Sequence, residues 1–77
     1  MKSFFGENLK RERIAANLSQ KEFAAKIGTT QQLLSRWECG EVEPSLGNII
    51  LILRILNIRF EDLVDVEKYD TGNDSFK

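Results

Sequence analysis

Four polar residues near the middle of the chain, Gln31, Gln32, Ser35 and Arg36, have the types and spacing to read base edges in a DNA groove. At about 100° per residue of helix they share one face within an arc of about 140°. Leu34 and Trp37 fall on the other side. An amide side chain can pair with adenine through both of its polar ends, and a guanidinium can do the same with guanine. A polar stripe alone carries little weight, because surface helices have polar outer faces. Its content is more telling, since a merely solvated face more often carries Glu and Lys. Leu33 lies at the edge of the stripe, placed to meet a thymine methyl or to pack against Trp37; packing is the favoured reading.

Local punctuation positions this stripe. Ser19-Gln20-Lys21-Glu22 has the capping-box pattern: the Ser hydroxyl accepts from a first-turn amide and Glu22 reaches back. Phe23, Ala24 and Ile27 form the inner face of the helix so begun. Gly28 ends it where a positive φ is needed. Thr29 and Thr30 make the turn, and Thr30 caps a third helix over 31–38. The segment 20–39 therefore reads as two short helices joined by a tight turn.

A first helix is predicted over 1–17. Phe5, Leu9 and Ile14 are at near-helical spacing with Phe4 or Arg13 beside them, Lys10, Arg11 and Glu12 lie outside, and Asn17 suits the left-handed end. A loop punctuated by Gly40 and Pro44 follows. Pro44 or Ser45 opens a fourth helix to Leu56, with Leu46, Ile49, Leu53 and Leu56 spaced to face the core. Ile50, Leu51, Ile52 and Ile55 leave that helix apolar nearly all round, more than so short a chain can cover. Ile50, Leu51, Ile55 and Ile58 are the expected dimer or partner surface. Residues 60–67 read as a fifth helix with Phe60, Leu63, Val64 and Val66 inward, and 69–77 as a mobile tail. No run alternates with period two. The expected fold is all-α, a compact five-helix domain over 1–68.

A chain of 77 residues allows one small domain, marginal alone, for which dimerisation is a natural supplement. At 42% hydrophobic and 30% charged, its composition is ordinary for a globule. One cysteine and no histidine exclude an intrachain disulfide and a Cys/His zinc site. No metal, cofactor or enzymatic activity is expected, since no nucleophile–base pair or phosphate loop is present. Cys39 reads as a half-buried filler rather than a redox sensor. No secretory signal or membrane span is visible; the longest apolar run, 49–53, is followed by Arg54. A cytoplasmic location without membrane contact is expected. The net charge of −1 is unusual for binding a polyanion, but it is unevenly spread. Residues 1–38 hold seven Lys/Arg against four Asp/Glu, and 39–77 hold four against eight.

The pattern LSQKEFAAKIGTTQQLLSRWECG…EPSLGNIILILRILNI, over 9–63, resembles the helix-turn-helix domains of the XRE/lambda-repressor type, which include phage repressors and Cro proteins. Gln20 at the second helix's start, small Ala24, Gly28 at the turn, inward Leu34 and Trp37, and Trp37-Glu38 followed by Gly40 and Pro44-Ser45-Leu46 all match. The resemblance implies base contacts by Gln31, Gln32 and Arg36, and a base or phosphate contact by Ser35. It implies phosphate contacts by Gln20 and Thr30, with Gln20 steadying Gln31, and an ion pair of Arg13 with Glu38 across helices. It departs at the loop, where Glu41 and Glu43 stand in place of the family's frequent Lys or Arg; loop contacts to phosphate are not carried over, and Val42 has no assigned role. The implied function is a homodimeric, double-stranded-DNA-binding repressor on a palindromic operator. A direct touch on polymerase, if there were one, would use exposed acids such as Glu22 or Glu38. The alternative is an antitoxin or bridging-type module whose apolar fourth helix meets another protein.

Overall fold

The computed structural model describes residues 5–64. Among them are five helices and no strand: α1 Phe5–Ala15, α2 Gln20–Ile27, α3 Gln31–Cys39, α4 Leu46–Leu56 and α5 Phe60–Leu63. α3 packs on α1 and α2, α4 on α2, and α5 on α1. The expectations for Phe4, Val66 and the 69–77 tail lie outside the described residues.

Each break is where local chemistry puts it. Ser19 caps α2 with the full capping box: its hydroxyl accepts from the Glu22 amide at 3.0 Å, and its own amide donates to the Glu22 carboxylate at 2.9 Å. Gly28 (φ 87°) ends α2 and Gly40 (φ 81°) ends α3, both left-handed. Asn17 (φ 63°) and Asn57 (φ 55°) do the same after α1 and α4; Asn tolerates this region better than most side chains. Ser45 caps α4 by accepting from the Asn48 amide at 3.3 Å.

Phe5, Leu9, Phe23, Ala24, Ile27, Leu34, Trp37, Ile52 and Leu63 form the core. Three expectations are corrected here. On α1 the residue that continues the Phe5–Leu9 face is Arg13, four positions on, while Ile14 is turned out and 56% exposed. On α4 the inner stripe is Ile49, Ile52, Leu53 and Leu56. Ile52 is completely buried, whereas Leu46, the first helical residue, is 72% exposed. A helix apolar on nearly every side carries no periodic signal that selects its inner face. α5 is a single turn ending at Leu63, with Val64 already extended (φ −118°); Leu63 is buried and Phe60 is exposed. Val42 and Leu33 are both half-buried against the core, which gives Val42 a packing role and favours packing for Leu33.

Gly6 marks a close approach of two helices. A Cβ there would lie 2.6 Å from the backbone carbonyl oxygens of both Trp37 and Glu38. Glycine is what lets α1 lie directly on the last turn of α3. Asn8, also buried, then ties α1 to α5 by donating to the Leu63 carbonyl at 2.8 Å. It closes a contact across 55 positions of sequence.

Candidate nucleic-acid interface

α3 is held at both ends by its own sequence. The Thr30 hydroxyl accepts from the Leu33 amide at 3.1 Å, leaving its hydrogen to donate elsewhere. The turn before it is tight because the amides of Gly28 and Thr29 both donate to the Ala24 carbonyl at 2.9 Å. Leu34 and Trp37 are buried, and this settles the rotation of the helix. Gln31, Gln32 and Arg36 are then exposed and Ser35 half-buried, all on the opposite side.

Glu38 does not follow the simple wheel. Seven positions after Gln31 and three after Ser35, it projects close to the polar stripe, yet it is buried. α1 covers it, across the contact that Gly6 permits. Its carboxylate takes two hydrogen bonds from Arg13, Nε to Oε2 at 2.7 Å and Nη2 to Oε1 at 3.2 Å. Arg13 Nη1 donates onward to the Leu18 carbonyl at 2.8 Å. Gln20 Nε2 adds a third bond to Glu38, at 3.0 Å. One carboxylate thus joins α1, α2 and α3. No buried side-chain polar atom among the described residues lacks a partner.

This network bears on two of the expected roles. The Gln20 amide donates one hydrogen to Glu38, which adds a structural role to the one expected of it, while its second hydrogen and its Oε1 are not engaged by that bond. Glu38, buried and paired, is not an exposed acid for a second protein to touch. Cys39 is exposed rather than a half-buried filler. Of the expected partner surface, Ile50 (47%) and Leu51 (41%) are exposed, while Ile55 and Ile58 are half-buried against the core. Leu46 joins the exposed pair in their place.

Two exposed charges sit at the end of the stripe. Arg36 Nε lies 3.2 Å from Glu41 Oε1. Among the described residues, Glu22 is the titratable group with a clear shift. The Ser19 amide, then the Ser19 hydroxyl, hold its carboxyl below the ordinary range, with a smaller contribution from Lys26. Among the described residues no cluster of Cys, Asp or Glu could hold a metal ion, and no helix is long and apolar enough to cross a membrane.

The sequence reading missed Gly6, Asn8 and Ile52. Gly6 had a visible signal, a glycine inside an otherwise helical run, which commonly marks close packing. Asn8 and Ile52 had none.

Comparison with known proteins agrees with this geometry. A family profile described as helix-turn-helix matches residues 9–63. An uncharacterised HTH-type transcriptional regulator of Sinorhizobium fredii is 36% identical over 52 residues, covering 68% of this chain and 26% of that protein. The uncharacterised HTH-type transcriptional regulator YqaE of Bacillus subtilis is 35% identical over 63 residues, 82% of this chain and 54% of its own length. Antitoxin PezA of Streptococcus pneumoniae is also 35% identical over 63 residues, 40% of its length. The chain thus spans from about a quarter to about half of these relatives. No solved structure gives a significant match.

Proposed function

The chain belongs to the helix-turn-helix family, and from that premise we propose that it is a sequence-specific DNA-binding transcriptional regulator, a repressor that occupies a palindromic operator as a homodimer. The observation that carries this reading is the rotation of α3. Leu34 and Trp37 are sealed in the core, and Gln31, Gln32 and Arg36 are left outward on one face. Amides toward the helix N-terminus and a guanidinium one turn on suit adenine and guanine edges in the major groove. Ser35 sits at the edge of the same face and takes a base or a phosphate. Thr30 donates its hydroxyl hydrogen to a phosphate, and Gln20 uses the amide hydrogen that Glu38 does not take. Two-fold pairing sets half-sites about 34 Å apart. The exposed Leu46, Ile50 and Leu51 supply an apolar face for the second copy. The work is non-enzymatic and placed in the cytoplasm, where the DNA is.

The test is selection of bound sequences from a random DNA pool, followed by titration of variants on the selected operator. Arg36→Ala is expected to lose discrimination at one base pair by about 1–3 kcal/mol, with the fold intact. Unchanged operator binding by both Arg36→Ala and Gln31→Ala would sink the assignment of the reading face.

A second reading is a protein-interaction module of the antitoxin or bridging type, for which the exposed apolar residues of α4, Leu46, Ile50 and Leu51, are the supporting observation. A clean dimer by gel filtration with light scattering supports the first reading. Aggregation relieved only by a co-expressed neighbour supports the second.

A further inference from the structure

We propose that Glu41 is a positioning and specificity-determining residue for this interface, acting through Arg36. The inference rests on the reading of Arg36 as a base contact.

The placement of Glu41 follows from the way α3 ends. Gly40 takes the left-handed conformation, and the chain doubles back over the last turn. The Glu41 amide consequently donates to the Arg36 carbonyl at 2.9 Å. The same reversal brings the two side chains together, with Nε 3.2 Å from Oε1. Backbone and side chain thus hold Glu41 over a single residue of the reading face. The pair is exposed on both sides, so it contributes little to folding. Its consequence lies in what it does to the arginine.

A guanidinium has five donors in a planar fork, and a guanine contact needs two of them. Glu41 engages Nε at 3.2 Å, so the end-on pair of donors, Nη1 and Nη2, stays available for a base. An arginine tethered at Nε has fewer conformations to lose when that pair meets guanine O6 and N7. It also cannot swing freely to a phosphate. Where no guanine is offered, the carboxylate stands close to the DNA backbone without compensation, and Glu43 two positions on adds to that repulsion. Discrimination is a difference of affinities, and a carboxylate in this place lowers the unspecific one. The loop's lack of Lys and Arg, a weakness if affinity alone mattered, then serves selectivity.

The experiment uses the full chain at one fixed salt concentration, with fluorescence anisotropy on three duplexes. These are the selected operator, the operator with the base pair read by Arg36 replaced, and an unrelated duplex. Glu41→Gln is expected to tighten binding to the unrelated duplex by roughly three- to tenfold and to narrow discrimination at the Arg36 base pair by a similar factor. Glu41→Asp keeps the charge and shortens the reach; it should still lose discrimination at that base pair, with unrelated-duplex affinity rising less than in Glu41→Gln. In an Arg36→Ala background, Glu41→Gln should shift all three duplexes by one common factor. If Glu41→Gln shifts all three duplexes equally with Arg36 present, Glu41 is only a surface charge and the proposal is overturned. If Arg36→Ala itself leaves every base preference unchanged, the reading of Arg36 fails, and the proposal with it. The two failures are told apart by the Arg36→Ala titration alone.

Discussion

Arg13 and Glu38, 25 positions apart, are joined by two hydrogen bonds, the shorter of 2.7 Å, with almost no access to water. The pair links α1 to α3, the helix that carries the candidate reading face. Removing one partner strands the other charge in the core. Glu38→Gln is therefore expected to lower stability by about 3–5 kcal/mol, measured by urea unfolding. The double replacement Arg13→Met with Glu38→Leu should recover most of that loss, because no unpaired charge remains. Gln20, released from Glu38, should then weaken operator binding only slightly.

Gly6→Ala sets helix propensity against packing. Alanine is the better helix former by about 1 kcal/mol. Its methyl would nevertheless meet two backbone carbonyls at 2.6 Å, and backbone cannot yield as a flexible side chain does. A net destabilisation of about 1–3 kcal/mol is expected in thermal or urea unfolding. A stabilised variant would show that α1 does not lie on α3 in solution as described.

Ile50 and Ile52 are the same residue two positions apart on α4, with opposite surroundings. Ile52 is fully buried and Ile50 is 47% exposed. Ile52→Ala should cost about 2–5 kcal/mol. Ile50→Ala should stay within about 0.5 kcal/mol in the monomeric state. Urea curves for the two variants at low protein concentration make the comparison.

Replacing Ile50 and Leu51 together by Glu puts two charges on the face assigned to the second copy. The fold should persist by circular dichroism. Sedimentation equilibrium should report a monomer, and operator affinity should fall while affinity for a single half-site is kept. A dimer that survives the double change would move the interface elsewhere.

The capping box gives a pH signature. Folding lowers the Glu22 pKa, through the Ser19 amide first and its hydroxyl second. A carboxyl with a depressed folded pKa stabilises the fold above its ordinary value, about 4.3, and loses that contribution as pH falls through the folded value. Wild type should thus exceed Glu22→Gln in stability at neutral pH, and the gap should close as pH falls through the depressed folded-state value. Ser19→Ala should cost about 1 kcal/mol at pH 7. A gap between wild type and Glu22→Gln that persists at low pH would show that the carboxylate is not the source.

The helix boundaries were legible because they are local. Ser19 with Glu22, Gly28, Thr30, Ser45 and Asn17 each satisfy or terminate the backbone within a turn of themselves, so residue type and spacing suffice. The buried side of α3 was legible for a related reason: Leu34 and Trp37 fall on one side of a short helix whose other positions are mostly polar. Arg13 and Glu38 came from the family resemblance; nothing in their spacing pairs two residues so far apart.

Tertiary structure decided what depends on a second element's position. Ile52 rather than Leu46 enters the core because α4, apolar nearly all round, can be turned inward on several sides, and its neighbours select one. Arg13 rather than Ile14 lies inside because Glu38 is there to meet it. Glu38 leaves the polar stripe because Gly6 admits a helix over it. Arg36 meets Glu41 because the chain reverses at Gly40. The amino-acid sequence by itself determined where α2, α3 and α4 start and stop and which polar residues α3 carries opposite Leu34 and Trp37. Only the packing determined which of those residues stay open, since burial belongs to a pair of surfaces and a single helix holds one of them.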